Sequence, residues 1–231
     1  MILYVAMAVD EADYLARAEM FLRRKLIFER LSGRPCLVRG CGEVTPEFMA
    51  RYPMAAILIS GFGKEWGEFR REDLYGLSDV LRETERPVLG LCGGHQLLGV
   101  VFSRDLREGG ELADEPIRRL AAGEADLEPG YHPGWYTEVG MQPVRIVARE
   151  DPLFAGLPET VRVRENHYCE VKALPPEFVL LAENENCRIQ AMRHREREIY
   201  GVQFHPEYFT EEYPEGRVML ENFFGRAEVR A

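Results

Sequence analysis

A cysteine followed by two glycines ends an apolar run, and this stretch constrains the fold more than any other part of the chain. It spans Val88–Gln96 and reads VLGLCGGHQ. The pattern predicts a strand, a sharp turn at Cys92 and a helix. A turn of this kind exposes a nucleophile at the edge of a sheet, and the start of a helix favours the thiolate form. The alternative is that Cys92 is a small apolar residue buried in a core strand.

Apolar segments alternate with helical patterns over the first hundred residues. Strands are predicted at 1–9, 36–38, 55–60 and 88–92, and helices at 10–31, from Pro46, at 72–84 and after Cys92. Continuous apolar strands separated by helices indicate a parallel sheet covered on both faces. Ligands bind such sheets beyond the carboxyl ends of the strands. Cys92 and the loop Gly61-Phe62-Gly63 both fall there.

The second half of the chain has a different pattern. Residues 104–133 are rich in charge and glycine and are predicted to form a surface segment with at most one short helix. Short strands are predicted at 144–148, 161–163, 179–182, 189–192 and 199–204, and a closing helix at 216–226. Short strands separated by turns favour antiparallel pairing.

The predicted fold class is therefore α/β. A mostly parallel central sheet has helices on both faces, as in a flavodoxin-like or Rossmann-like three-layer sandwich, and antiparallel strands are added in the C-terminal half. Residues 1–231 are predicted to form a single domain of this kind.

Composition excludes several classes of partner. The formal net charge of −10 argues against nucleic-acid and membrane binding, because phosphate contacts need a basic face. The apolar N-terminal run is too short to span a bilayer. The five cysteines form no C-x-x-C pair, which predicts a reducing, cytoplasmic location and no metal site. No cofactor is expected.

A histidine and a glutamate follow the last predicted strand, in the segment Tyr200–Glu207 (YGVQFHPE). In extended chain, residues two apart point to the same side. Glu207 could therefore orient the imidazole of His205. A nucleophilic thiol needs a base, and the base needs an orienting group; Cys92, His205 and Glu207 supply these parts. The alternative is a histidine satisfied by the backbone and an ordinary surface carboxylate.

Acyl transfer also needs donors for an oxyanion. The N–H of Gly93 is one candidate, and the loop Gly61-Phe62-Gly63 offers a second. Phosphate binding by residues 61–64 is the competing interpretation of this loop. The spacing of the known glycine-rich phosphate motifs is missing there and at residues 90–94, so nucleotide binding is not predicted.

The two motifs GLCGGHQ and YGVQFHPE together resemble the class I, triad-type glutamine amidotransferases. The resemblance implies that Cys92 attacks the side-chain amide of glutamine, giving a γ-glutamyl thioester and ammonia. His205 would act as general base and then as acid, and Glu207 would orient it. Gln96 would contact the amino-acid end of the substrate; alternatively, its side chain only binds a neighbouring loop.

Other positions match the family less closely. The segment Ser60–Gly63 stands where the family often has S-G-G-P or S-N-G-P, and Phe62 replaces a glycine but keeps its N–H. Asn166, His167 and Tyr168 resemble a family segment whose backbone lines the glutamine site, although His167 could equally be an ordinary loop histidine. Three residues match a family pattern and are interpreted as structural: Gly134, Glu138 and Gly140.

Three functions are compatible with these residues. The first is a glutaminase that releases ammonia from its substrate glutamine for a separate synthase subunit. The second is a stand-alone γ-glutamyl hydrolase of the same fold. The third is a non-catalytic binding protein that retains the fold, which the complete Cys-His-Glu set argues against. The residues 104–134 are among the loops expected to separate the first two functions.

Overall fold

The computed structural model describes residues 1–108, 110–130 and 132–228, and the side chains up to Gly225. The strands in these ranges are β1 (Ile2–Ala6), β2 (Cys36–Gly40), β3 (Ala56–Ile59), β4 (Val88–Leu91), β5 (Glu138–Ile146), β6 (Thr160–His167), β7 (Phe178–Glu183), β8 (Ala191–His194) and β9 (Ile199–Val202). The α-helices are α1 (Glu11–Ala16), α2 (Ala18–Ser32), α3 (Pro46–Arg51), α4 (Tyr75–Glu83), α5 (Gly93–Ser103) and α6 (Glu215–Glu228).

The strands form one mixed sheet in the order β2-β1-β3-β4-β9-β8-β7-β5-β6. The pairs from β2 to β9 are parallel, and the pairs from β9 to β6 are antiparallel. The five parallel strands, in the order β2-β1-β3-β4-β9, thus follow the flavodoxin-like arrangement. The predicted fold class, a parallel core with antiparallel additions in the C-terminal half, is confirmed. The single-domain organisation stays a prediction.

Helices cover both faces of the parallel strands, which explains why those strands are apolar without alternation. On β1, Tyr4 packs in a core with Phe28 of α2 and Phe223 of α6. Its neighbour Leu3 packs on the other face with Leu77 of α4 and with α5. Both faces of a parallel strand are buried in this architecture. Among the described residues, no helix combines the length and apolarity needed to cross a bilayer.

The helix predicted over 10–31 is in fact two helices, separated at Arg17. The backbone of Arg17 leaves helical geometry with φ −107° and ψ 8°. Its guanidinium donates hydrogen bonds to the carboxylate of Asp13 and to the carbonyl oxygens of Met7 and Gly61. These contacts tie the break to the carboxyl ends of β1 and β3.

Strands β5 and β6 are longer than predicted, and they pair over their length as an antiparallel hairpin. Along β6, the inward positions are Val161, Val163, Glu165 and His167, all of them buried. The apolar pattern stops after Val163 because the next two inward residues are charged or polar. The strand therefore continues past the point where hydrophobicity predicts its end.

The segment 104–133 contains no helix among its described residues. It is also more buried than predicted, because Leu106, Leu112 and Ile117 are buried. Pro116 forms an isolated β-bridge with Cys169, just beyond β6. The segment thus packs against the end of the hairpin and approaches the candidate site.

Candidate active site

Cys92 lies in the sharp turn between β4 and α5, as predicted. Its backbone has φ 50° and ψ −104°, and no other non-glycine residue in the described part of the chain has a positive φ. A glycine is required at position 90, two residues before Cys92, because a Cβ there would lie 2.5 Å from the carbonyl oxygen of Gly94. A bulkier residue would separate the strand from the helix. The turn therefore holds the thiol at the carboxyl end of the sheet, in strained backbone typical of functional sites.

His205 reaches Cys92 because β4 and β9 are adjacent parallel strands, with Leu91 opposite Val202. The imidazole lies beside the thiol: a Cβ on Gly61 would be 3.2 Å from Cε1 of His205 and 3.6 Å from Sγ of Cys92. The Nδ1 atom of His205 lies 2.9 Å from Oε1 of Glu207. The imidazole therefore lies between the thiol and the carboxylate.

The backbone between His205 and Glu207 is not extended as predicted. Residues Pro206–Tyr208 form a short 3-10 helix with proline at its first position. The fixed φ of proline suits this position. The contact between the two side chains therefore arises from a tight turn and not from strand alternation.

The three groups control one another's charge. Burial raises the pKa of the Cys92 thiol, but the His205 imidazole outweighs this and the net shift is downward. Burial lowers the pKa of His205, but Glu207 and Cys92 raise it to about 10. The pKa of Glu207 falls to about 2 despite burial, through Arg24 and then His205. The arrangement favours a thiolate beside an imidazolium, as in activated cysteine nucleophiles.

The loop Gly61–Gly63 presses against the thiol and the imidazole. A Cβ on Gly61 would lie 3.2 Å from Cβ of Cys92 and 3.2 Å from Cε1 of His205. The carbonyl oxygen of Gly61 accepts hydrogen bonds from Ser60 and Arg17. Because C=O and N–H point in opposite directions across a trans peptide, these bonds aim the Phe62 N–H away from them.

The side chain of Phe62 explains how the loop is fixed. Its ring lies so close to Gly93 that a Cβ there would come within 2.3 Å of it. The ring also packs edge-on against Trp66 and Phe69, with centroid distances of 4.6 and 4.9 Å. The N–H of Gly93, in the first turn of α5, has no partner within the helix. Both N–H groups predicted as oxyanion donors therefore belong to residues packed against each other.

Gln96 binds a neighbouring loop, as one of the two interpretations predicted, and its contact with the substrate stays a prediction. Its Nε2 donates to the carbonyl oxygen of Cys169, 3.0 Å away in the loop after β6, and to Oε1 of Gln203 at 3.3 Å. It also lines a pocket with Cys92. Gln203 in turn approaches the sulfur of Cys92, with 3.6 Å between Nε2 and Sγ. The sequence interpretation gave Gln203 no role, although it lies two residues before His205.

His167 is a strand residue and not a loop histidine. It ends β6, opposite Glu138 of β5. Its Nδ1 faces the carbonyl oxygen of Cys169 at 2.8 Å, and its Nε2 lies 3.0 Å from Glu138 and 3.1 Å from Glu165. A carbonyl oxygen only accepts, so Nδ1 must carry a proton. A second proton is then needed between Nε2 and the two carboxylates, because without it they would all be acceptors. Burial lowers the pKa of His167, but the two glutamates raise it well above its ordinary value.

Glu138, interpreted from the sequence as structural, is the centre of this buried network. Its Oε2 accepts from His167 and, at 2.9 Å, from Gln190; its Oε1 accepts from Asn184 at 2.9 Å. Glu138, Glu165 and His167 are also the described residues whose ligand-type atoms converge, within 4.8 Å of one another. Their spacing is that of ion pairs, and the network joins the ends of β5 and β6 to Asn184 and Gln190.

Two cavities meet at Cys92. An open cleft of about 1210 Å³ is lined by Gly61, Phe62, Cys92, Asn166 and His205 among others. A small pocket of about 20 Å³ also borders Cys92. Its lining includes these residues of the predicted site: Phe62, Cys92, Gly93, Gln96, Asn166, His167 and Tyr168.

Other lining residues were missed by sequence reasoning. Lys64 and Asp114 line the small pocket, and Arg17 and Arg24 line the cleft. Charged residues are common in loops and on helices, so no local pattern marks these four. Tyr168, which stands where the family often has glycine, is buried and stacks on His132 with 3.4 Å between ring centroids.

A cysteine, a histidine and a glutamate that converge at the carboxyl ends of parallel strands in an α/β sheet are typical of proteins with a thiol nucleophile. Residues 43–227 match the family model of the class-I glutamine amidotransferases, and the chain belongs to that family. The family predicted from the two motifs is thereby confirmed.

Relatives and solved structures agree with this assignment. A subunit of the glutamine-hydrolyzing GMP synthase of Pyrococcus furiosus is 39% identical over 137 residues, which is 59% of this chain and 58% of that protein. The match to such relatives thus spans about three-fifths of their length.

Two solved structures share the fold. One is a proposed GMP synthase subunit of Thermoplasma acidophilum, with a TM-score of 0.71 and 21% identity over 100% of this chain and 96% of that one. The other is the glutaminase domain of Trypanosoma brucei CTPS, with a TM-score of 0.67 and 16% identity over 99% and 94% of the two chains.

Proposed function

We propose that the protein hydrolyses the side-chain amide of glutamine through a thioester on Cys92 and releases ammonia for a synthase on a separate chain. The observation that carries the proposal is the convergence of three side chains at the turn between β4 and α5: the His205 imidazole lies beside the Cys92 thiol and 2.9 Å from the Glu207 carboxylate. The names of the relatives, which describe glutamine hydrolysis by a subunit of a synthase, support it.

In the first step, the Cys92 thiolate attacks the side-chain carbonyl carbon of glutamine. The charge that develops on the carbonyl oxygen is stabilised by the N–H groups of Gly93 and Phe62. His205 then gives its proton to the amide nitrogen, the C–N bond breaks, and ammonia leaves. The product on the enzyme is a γ-glutamyl thioester.

In the second step, His205 takes a proton from a water molecule, which attacks the thioester carbonyl. The C–S bond breaks, glutamate leaves, and the proton on His205 restores the imidazolium beside the thiolate. Glu207 stays ionised throughout and holds the imidazole in one orientation, the role of the carboxylate in triads.

The small pocket is proposed to hold the amino-acid end of glutamine. It brings a cation, Lys64, and an anion, Asp114, to the side of Cys92 where Gln96 lies. These charges complement the carboxylate and ammonium groups of an amino acid. At about 20 Å³ the pocket has room for about one water molecule, which is too little for the end of an amino acid. Binding therefore requires lining side chains such as Tyr168 to move.

The acceptor of ammonia is proposed to be a separate synthase subunit that covers the open cleft. A cytoplasmic location belongs to the same proposal and is supported by the five free thiols, which that compartment keeps reduced. The expected result is co-purification with a synthase and faster ammonia release in its presence.

The cleft also favours a second candidate, a stand-alone γ-glutamyl hydrolase. Its volume of about 1210 Å³ beside Cys92 leaves room for a substituent on the amide nitrogen. The chemistry would be the same, with an amine leaving in place of ammonia. Comparing kcat/KM for glutamine and for γ-glutamyl amides with large amine groups separates the two functions.

The direct test is ammonia release from glutamine, measured together with labelling by a diazoketone analogue of glutamine. We expect Cys92→Ala to abolish both. Cys36→Ala is the matched control, because Cys36 is a buried thiol whose pKa burial raises to about 12. If the native protein forms no adduct at Cys92 while folded, both proposed activities are wrong.

A further inference from the structure

We propose that Arg24 is a positioning residue for the triad, which keeps Glu207 ionised and oriented while His205 gains and loses its proton. The inference rests on the proposed function and adds a fourth group to it. Arg24 belongs to α2 and lies 184 positions before Tyr208, which it also contacts. Its role is therefore created by the packing of α2 against the turn after β9.

The contacts of Glu207 are few. Its Oε1 lies 2.9 Å from Nδ1 of His205 and 3.2 Å from Nη2 of Arg24. Its Oε2 has no hydrogen-bond partner among the residues that the structure describes. Glu207 and Arg24 are only 4% and 5% exposed. Among the described residues, one hydrogen bond from His205 and one ion pair with Arg24, both on Oε1, thus hold this buried carboxylate.

Tyr208 and Tyr4 complete the surroundings of the pair. Nη2 of Arg24 donates to the hydroxyl of Tyr208 at 2.9 Å, and the guanidinium lies over the same ring at 5.0 Å from its centroid. Tyr4 of β1 faces both Arg24 and Glu207, and burial raises the pKa of its hydroxyl. Tyr4 is therefore uncharged near neutral pH, and within the described part of the chain Arg24 and His205 are the cations that face Glu207.

The catalytic cycle shows why a second cation is needed. When His205 gives its proton to the leaving nitrogen, Glu207 loses one of its two positive neighbours. A buried carboxylate without a cation would take up a proton, because burial disfavours its charged form. Arg24 cannot give up its proton, so it keeps Glu207 ionised at this stage. Glu207 can then still accept the Nδ1 hydrogen bond when His205 acts as a base.

The test compares Arg24→Met and Arg24→Gln with Arg23→Met. Arg23 is the adjacent residue on α2, exposed and paired with Glu19 at the surface. We measure kcat and KM for glutamine across pH. As a second readout, we measure the rate at which iodoacetamide alkylates Cys92 across pH, which needs no glutamine.

For Arg24→Met we expect kcat to fall at least about tenfold with little change in KM. The acid limbs of both pH profiles should move upward by about one to three units, the usual effect of a neighbouring opposite charge on a carboxyl pKa. Arg24→Lys should restore part of kcat, since it returns the charge. Arg23→Met should match the native protein in both profiles.

The proposal is overturned if folded Arg24→Met shows the native kcat and both native pH profiles. If Arg24→Met does not fold, Arg24→Gln decides, because it keeps hydrogen-bonding atoms without the charge: shifted profiles support the role and native profiles exclude it. A shifted alkylation profile in a protein that ignores glutamine would preserve the role of Arg24 and refute the proposed substrate.

Discussion

At the scale of single residues, Gly93 is constrained by a neighbour from another loop. A Cβ at this position would meet the Phe62 ring at 2.3 and 2.4 Å. The sequence motif has a glycine after the nucleophile, but it says nothing about this ring. The pair couples the two proposed oxyanion donors, so that a side chain on one displaces the other.

We expect Gly93→Ala to lower kcat roughly a hundredfold, the cost of losing one oxyanion donor. Gly63→Ala is the matched control, because a Cβ there meets no atom within 4 Å. Replacing Phe62 by Gly in the Gly93→Ala background should restore part of kcat by removing the ring. Steady-state kinetics on the four proteins check this; native kcat in Gly93→Ala would show that the contact does not fix the loop.

At the scale of elements, the strand β4, the turn at Cys92 and the helix α5 were predictable because their signals are local. An apolar run, two glycines and a helical pattern suffice. The hairpin of β5 and β6 was predicted too short, because its inward face continues with Glu165 and His167. Charged residues at inward positions look like the end of a strand unless their partners are known, and Glu138 is supplied by the other strand.

Glu138→Gln tests whether the buried network holds this hairpin. The oxygens of Glu138 accept hydrogen bonds from His167, Gln190 and Asn184, so an amide group would place a donor against donors. We expect the free energy of unfolding to fall by about 3–5 kcal/mol, as when one partner of a buried ion pair is removed.

Urea unfolding measures this change. Glu159→Gln is the control, since Glu159 is exposed and its nitrogen-to-oxygen distance to Arg149 is 4.0 Å; it should change stability by less than about 0.5 kcal/mol. Equal stability of the two variants would mean that the network does not hold the hairpin.

At the scale of the whole molecule, burial of the triad makes stability depend on pH. The pKa of Glu207 is about 2 in the folded protein, below its ordinary value of 4.5, through Arg24 and His205 against the effect of burial. A depressed carboxyl pKa contributes stability that is fully present above about pH 4.5 and is lost as pH falls through about 2.

The difference in unfolding free energy between the native protein and Glu207→Gln should therefore depend on pH. We expect about 2–3 kcal/mol near neutral pH, decreasing as pH falls from about 4.5 to 2. Urea unfolding at several pH values in this range measures it. Glu19→Gln, an exposed partner of Arg23, should differ little from the native protein throughout. A Glu207→Gln difference that does not change with pH would contradict the assigned charge of Glu207.

Local signals along the chain are enough to predict the turn at Cys92, the parallel core, the antiparallel additions and the family. Apolar periodicity, glycines and short motifs all act over a few residues. Chain order also brings His205 and Glu207 to the carboxyl end of a strand. Three-dimensional packing is needed to show that Arg24 faces Glu207, that Glu138 and Glu165 enclose His167, and that Phe62 lies on Gly93. Arg24, Glu138 and Phe62 each come from a segment distant from the residue they contact, and no local pattern records which segment that is.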